Sequence, residues 1–103
     1  MTVSATLREI AAELRQHPEH WTQGEWARDA GGRCVSYPYM TPVCWCAFGL
    51  CSREEIVSKA MPILSELVRE RNYGSVPEWN DAPGRTAADV ADLFERAAAK
   101  AEA

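Results

Sequence analysis

Apolar residues Val3, Leu7, Ile10, Ala11 and Leu14 recur at helical spacing, which predicts an amphipathic helix from about Thr2 to Gln16. Pro18 stops it, because the residue before a proline is pushed out of the α region. Between Glu25 and Tyr37 the pattern shortens into two small segments around Gly31-Gly32. Paired glycines supply the positive φ of a tight turn, so a β-hairpin is predicted near residues 25–37. The stretch Thr41–Cys51 is apolar on nearly every face and reads as a buried central helix, with Thr41 as N-cap and Pro42 in the first turn. A buried strand is the alternative that periodicity alone leaves open.

Ser52-Arg53-Glu54-Glu55 has the form of a capping box and predicts a new helix from Arg53 to about Asn72. Its stripe is Ile56, Val57, Ala60, Ile63, Leu64, Leu67 and Val68, and Pro62 predicts a kink inside it. Ser75 to Asp81 reads as one short helical turn carrying Trp79. Thr86, with Asp89 three residues on, caps a last helix lined by Val90, Leu93, Phe94, Ala97 and Ala101. Its tail from Ala98 is expected to fray. The fold class is therefore mainly α: a single small domain spanning 1–103, with about four helices and a short hairpin. Its expected core is Val3, Leu7, Ile10, Leu14, Trp45, Phe48, Ile56, Ile63, Leu64, Leu67, Val90, Leu93 and Phe94. The first, third and last helices should pack around the Cys44–Leu50 segment.

Composition narrows the function classes. The chain has 103 residues, a net charge of −4 and 47% hydrophobic residues. Acidic residues share the helices with the arginines, and this balance argues against nucleic acid as a partner. No apolar run approaches a membrane span, and the N-terminus has neither a basic nor an apolar leader region. The expected location is the cytoplasm, where thiols stay reduced.

Four cysteines, Cys34, Cys44, Cys46 and Cys51, lie close together but lack the C-x-x-C pairs of zinc sites. On a helix over Thr41–Cys51, Cys44 and Cys51 would share a face about 10 Å apart along the axis, with Cys46 on the other side. That geometry excludes a shared metal, whereas a loop would restore it. Buried, reduced cysteine is the plain reading. Cys46, near a helix N-terminus, is a weak candidate nucleophile, but no histidine is locally held against it. His17 and His20 flank Pro18 and read as a solvated turn, so no metal ligand and no cofactor is expected.

Four tryptophans form the second constellation. Trp45 belongs to the expected core. Trp21 and Trp79 read as loop residues beside polar neighbours and arginines, the composition of a binding hot spot. The alternative is that both indoles plug the ends of the core and give their N–H to buried acceptors. Arg85 follows a Pro-Gly turn four residues after Asp81. It could pair with that aspartate or offer a bidentate fork to a carboxylate or phosphate.

The ordered motifs Trp21-Thr22-Gln23-Gly24, Ala27-Arg28-Asp29-Ala30-Gly31-Gly32, Trp45-Cys46-Ala47-x-Gly49 and Trp79-Asn80-Asp81-x-Pro83-Gly84-Arg85-Thr86 resemble a family of small proteins from bacteria and their phages. That resemblance covers most of the chain and implies no established activity, substrate or cofactor. Leu50-Cys51 stands where the family often has a small residue. The resemblance thus implies that Cys34, Cys44 and Cys51 are no part of a shared site.

The expected function is a non-enzymatic binding or regulatory module that engages another protein, such as a phage-encoded modulator of a host system. The expected contact surface is Trp21, Gln23, Arg28, Asp29, Trp79, Asn80, Asp81 and Arg85. The alternatives are a small cysteine-dependent enzyme with Cys46 as nucleophile, and a metal-binding domain built on the four cysteines.

Overall fold

The computed structural model describes residues 2–35 and 41–103. The end of the expected hairpin segment, residues 36–37, lies outside the described residues. Among the described residues, five α-helices, one 3₁₀ turn and a two-stranded sheet follow in chain order. Helix α1 is Val3–Gln16, capped by Thr2, whose hydroxyl accepts the Ala5 N–H. The 3₁₀ turn is Pro18–His20. Strand β1 is Ala27–Asp29 and β2 is Pro42–Trp45. Helices α2 (Ala47–Arg53), α3 (Val57–Arg69), α4 (Val76–Asn80) and α5 (Ala87–Glu102) complete the chain.

The predicted stripes of the first and last helices find each other. Leu7, Ile10, Ala11 and Leu14 on α1 are buried, as are Val90, Ala91, Phe94, Ala97 and Ala98 on α5. The alanines let the two helices approach closely. Arg8 pairs with Glu102, and Arg15 with Asp92 and Glu95, so the helices run antiparallel. These pairs are exposed and contribute little. The apolar seam stabilises the pair, at about 1.5–3 kcal/mol per large side chain. α3 also packs on α5, while α2 packs on α3 and α4. The tail expected to fray from Ala98 stays helical to Glu102. Ala98 is buried, and Lys100 pairs with Glu66 of α3.

The segment 41–51 is not one helix. It is strand β2 followed by α2, and Cys46 is the N-cap between them: its Sγ accepts the Gly49 N–H at 3.4 Å. Trp45 is partly buried against the core, but Phe48 is exposed, which removes it from the expected core. The capping box expected at Ser52 does not form either. Ser52 belongs to the last turn of α2, which closes through the Ile56 N–H on the Cys51 carbonyl, with Glu55 left-handed at φ 59°. This is a Schellman ending built on a residue with a side chain. α3 then starts at Val57 with no side-chain cap. It runs through Pro62 and ends at Arg69, where Asn72 at φ 68° provides the same kind of closure for the Tyr73 N–H on the Val68 carbonyl. At α5 the full capping box is present between Thr86 and Asp89.

The hairpin turn forms at Gly31-Gly32. Gly32 takes φ 82°, and Asp29 and Arg33 exchange backbone contact through the Asp29 N–H on the Arg33 carbonyl. β1 pairs antiparallel with β2, with Ala27 opposite Trp45 and Arg28 opposite Cys44 and a register shift after Arg28. Trp21 and Thr22 run beside the same strand, the Thr22 N–H bonding the Trp45 carbonyl. Three chain segments thereby meet at the start of α2.

Candidate functional site

The residues of the ordered motifs converge on Asn80, the last residue of α4. Its side chain is 1% exposed. Oδ1 accepts the Trp21 indole N–H at 2.7 Å and the Ala47 N–H at 3.0 Å. Nδ2 donates to the Thr22 carbonyl at 3.2 Å and to Asp81 Oδ1 at 3.0 Å. All of the amide's main hydrogen-bonding positions are filled, which a buried amide needs. Gln23 Nε2 donates to the Asn80 and Ala82 carbonyls, and the Gly24 N–H donates to Asp81 Oδ1. Arg28 binds inward: Nε to the Thr22 hydroxyl, and the two Nη to the Gln23 and Gly32 carbonyls.

The expected surface therefore divides. Trp21, Gln23, Arg28, Asn80 and Asp81 come together as a clasp joining the 21–24 segment, the hairpin and α4. Asp29 organises the hairpin turn. The Arg33 amide, followed by the Gly31 amide and the Arg33 charge, holds its carboxyl below the usual range. Trp79 lies on the expected short helical turn, α4, and is 3% exposed, so its indole plugs the core as the alternative reading has it, though its N–H meets no acceptor among the described residues. Arg85 stacks over its ring at 4.1 Å and over Tyr73 at 5.3 Å, with Nε donating to the Trp79 carbonyl. This guanidinium faces a small cleft that also receives Arg71, Arg96 and Asp92. Arg85 does not pair with Asp81. The nearest carboxylate is Asp89, at 3.9 Å.

What the sequence reading missed lies next to the clasp. Trp26 and Phe48 are 40% and 36% exposed, and both line one open groove of about 290 Å³. Pro77 forms another part of its wall, and Glu25 and Asp81 supply its charge. The sequence pattern places Trp26 within the predicted 25–37 hairpin and Phe48 in the core. The available signal was the hairpin period, which puts Trp26 and Ala27 on opposite faces. Gly49 makes the site possible. A Cβ there would lie 2.5 Å from the Trp26 carbonyl oxygen, the same oxygen that accepts the Cys46 N–H.

The cysteines are spread over this region. Cys34 is exposed on the hairpin, Cys44 lies on β2, Cys46 caps α2, and Cys51 is buried within α2. Among the described residues no three of them bring their sulfurs within a metal's reach. The reason differs from the expected one, since strand and helix divide them rather than one helical axis. Cys46 lines the groove, but burial pushes its thiol up, outweighing the Gly49 and Phe48 amides. Burial pushes the Cys51 thiol up to about 12.

On the opposite edge of β2, Glu13 joins α1 to α2. Burial works against its charge, but hydrogen bonds from Arg53 and His20 outweigh that and hold its carboxyl below the usual range. Arg53 reaches it with both Nη groups, at 2.9 and 3.0 Å, and lies 4.5 Å over the Trp45 ring.

Fold and clasp together define a small helical domain whose hairpin is bolted to a short helix by one buried asparagine. Among the described residues no helix is long and apolar enough to cross a membrane. The chain belongs to DUF6197, a family of unknown function whose model matches residues 1–100. No curated protein and no solved structure matches it.

Proposed function

We propose that this domain is a non-enzymatic binding module that engages another protein through the groove between Trp26 and Phe48. The observation that carries this reading is the pairing of two exposed aromatic side chains in one groove, on a backbone fixed by the Asn80 clasp. Aromatic anchors on a rigid frame are the usual core of a protein contact. Glu25 and Asp81 at its edge take part in no ion pair among the described residues. The occupant this chemistry suits is a partner segment with one apolar side chain beside a lysine or arginine. The motif resemblance supports a bacterial or phage setting, and the expected compartment is the cytoplasm. There the domain would act as a small regulator of a host protein.

The contact surface moves accordingly. Trp79 and Arg85 are replaced as its centre by Trp26 and Phe48, while Asp81 keeps its place. The reading of Cys46 as an enzyme nucleophile has the groove in its favour and the raised thiol against it.

Selection from a short-peptide display library tests the proposal. Enriched peptides should share an apolar anchor next to a basic residue. Their affinity should fall about tenfold or more in Trp26→Ser and in Phe48→Ser, and severalfold in Glu25→Gln. Trp26 and Phe48 are still more than half buried, so each variant is melted in parallel and Glu25→Gln, which removes no apolar area, separates loss of contact from loss of fold. A selection without consensus, or peptides indifferent to these substitutions, would sink the proposal.

A further inference from the structure

We propose that the turn after α1 is a binding site for a divalent transition-metal ion of the zinc class, with His17, Glu19 and His20 as ligands. The proline that ends α1 creates the geometry. Pro18 starts a 3₁₀ turn, closed by the His20 N–H on the His17 carbonyl at 2.9 Å. In a 3₁₀ turn residues three apart eclipse, so the two imidazoles lie above one another. Their centroids are 4.8 Å apart and their planes differ by 13°.

Glu19 reaches between them. Its Oε2 is 3.3 Å from His17 Nδ1 and 4.0 Å from His20 Nε2. One ligand atom from each of the three residues lies within 4.8 Å of the other two. Ligands around a tetrahedral zinc, with bonds of about 2.0–2.1 Å, stand about 3.3 Å apart. The glutamate–His17 edge already has that length. The remaining edges close by side-chain rotation at the surface.

Behind the ligands stands the support such sites use. His20 Nδ1 is 2.8 Å from Glu13 Oε2. A carboxylate accepts there, so the proton sits on Nδ1 and Nε2 offers its lone pair outward. Glu13 is itself fixed by the two Nη groups of Arg53. The His20 ring also meets Trp45 edge-on at 6.3 Å. His20 is thus oriented by packing and by a carboxylate, while the His17 and Glu19 side chains are 53% and 67% exposed. Three protein ligands leave one position for water or for a ligand from a partner. Two imidazoles and one carboxylate suit zinc, cobalt or nickel and not calcium or magnesium.

Titration of Zn²⁺ into the full chain by calorimetry, with imidazole nitrogens followed by NMR, tests the site. The expected result is one ion per chain at a micromolar dissociation constant, with His17 and His20 resonances shifting together. His17→Ala and His20→Ala should each weaken binding at least about tenfold, and Glu13→Gln by about tenfold without removing a ligand. His17 is exposed, so its variant should melt as the parent does, which separates loss of a ligand from loss of fold. With Co²⁺, the visible spectrum should show ligand-field bands without the sulfur-to-metal charge transfer of a cysteine site. Absence of stoichiometric binding at submillimolar zinc, binding indifferent to His17→Ala, or a thiolate spectrum would each overturn the proposal.

Discussion

Asn80 accepts the indole N–H of Trp21 at 2.7 Å across 59 residues of chain, and the same oxygen accepts the Ala47 N–H that opens α2. One buried amide therefore fixes three segments relative to one another. Asn80→Ala strands the indole N–H, the Ala47 N–H and the Thr22 carbonyl together. The expected loss is about 3 kcal/mol or more, read as a lowered midpoint in urea. Asn80→Asp keeps the acceptor but sets a second carboxylate beside Asp81 and faces the Thr22 carbonyl without a donor. It should recover only part of the loss.

Gly49→Ala tests the contact beneath the groove. The added methyl would meet backbone, the Trp26 carbonyl oxygen at 2.5 Å, and also the Trp45 Cβ at 3.2 Å. Neither is the flexible end of a side chain, so the hairpin must move away from α2. A destabilisation of about 2–3 kcal/mol is expected, with loss of peptide binding by the groove if the proposed function holds. Preserved melting would show that the hairpin and α2 are not rigidly apposed.

The thiols give a pH dependence with a definite sign. The native Cys51 thiol titrates at about 12, above the unfolded value of roughly 8.5. The unfolded chain thus releases a proton that the native state keeps. This contribution is fully present below the unfolded value and is lost as pH rises toward the native one. Between pH 8.5 and pH 10 it should cost about 1.5 kcal/mol. Cys51→Ala should flatten that part of the stability profile. In the folded protein at neutral pH, iodoacetamide should label exposed Cys34 well before Cys46 or Cys51. Rapid labelling of Cys46 would revive the enzyme reading.

Glu55 holds a left-handed conformation, φ 59°, between α2 and α3. A residue with a Cβ is disfavoured there by about 1–2 kcal/mol, and glycine is not. Glu55→Gly should raise stability by about 0.5–1 kcal/mol, after the extra entropy of the unfolded glycine is subtracted. Thermal melting measures it directly. An unchanged or lower midpoint would mean that the Glu55 side chain contributes something the geometry does not show.

The helices with one apolar stripe and clear ends were legible from the chain. Thr86 caps α5 as its position suggests, and the stripes of α1 and α5 meet. The segment 41–51 was not legible, because a run apolar on every face carries no period. Its division at Cys46 depends on the Trp26 carbonyl and the Asn80 amide, both distant in sequence. Ser52–Glu55 has the letters of a capping box, but the preceding helix had already claimed those residues. The polar motif residues looked like a surface because Gln, Asn, Asp and Arg usually are one. Here they satisfy one another around the buried Asn80, and the exposed aromatics Trp26 and Phe48 stand beside them. His17 and His20 were set aside because Pro18 forbids an α-helix there. A 3₁₀ turn brings them together instead.

The antiparallel union of α1 with α5 has a consequence for the chain's birth. Arg15 meets Glu95 across 80 residues, and Arg8 meets Glu102 across 94. Helical domains usually gain speed from local contacts, but the main seam of this one is among its least local. On the ribosome, α1 emerges early and must wait with Leu7, Ile10 and Leu14 uncovered until α5 has been translated and released from the exit tunnel. A shorter nascent chain has no substitute for that surface, so this domain should depend on chaperone shielding during synthesis more than its size suggests.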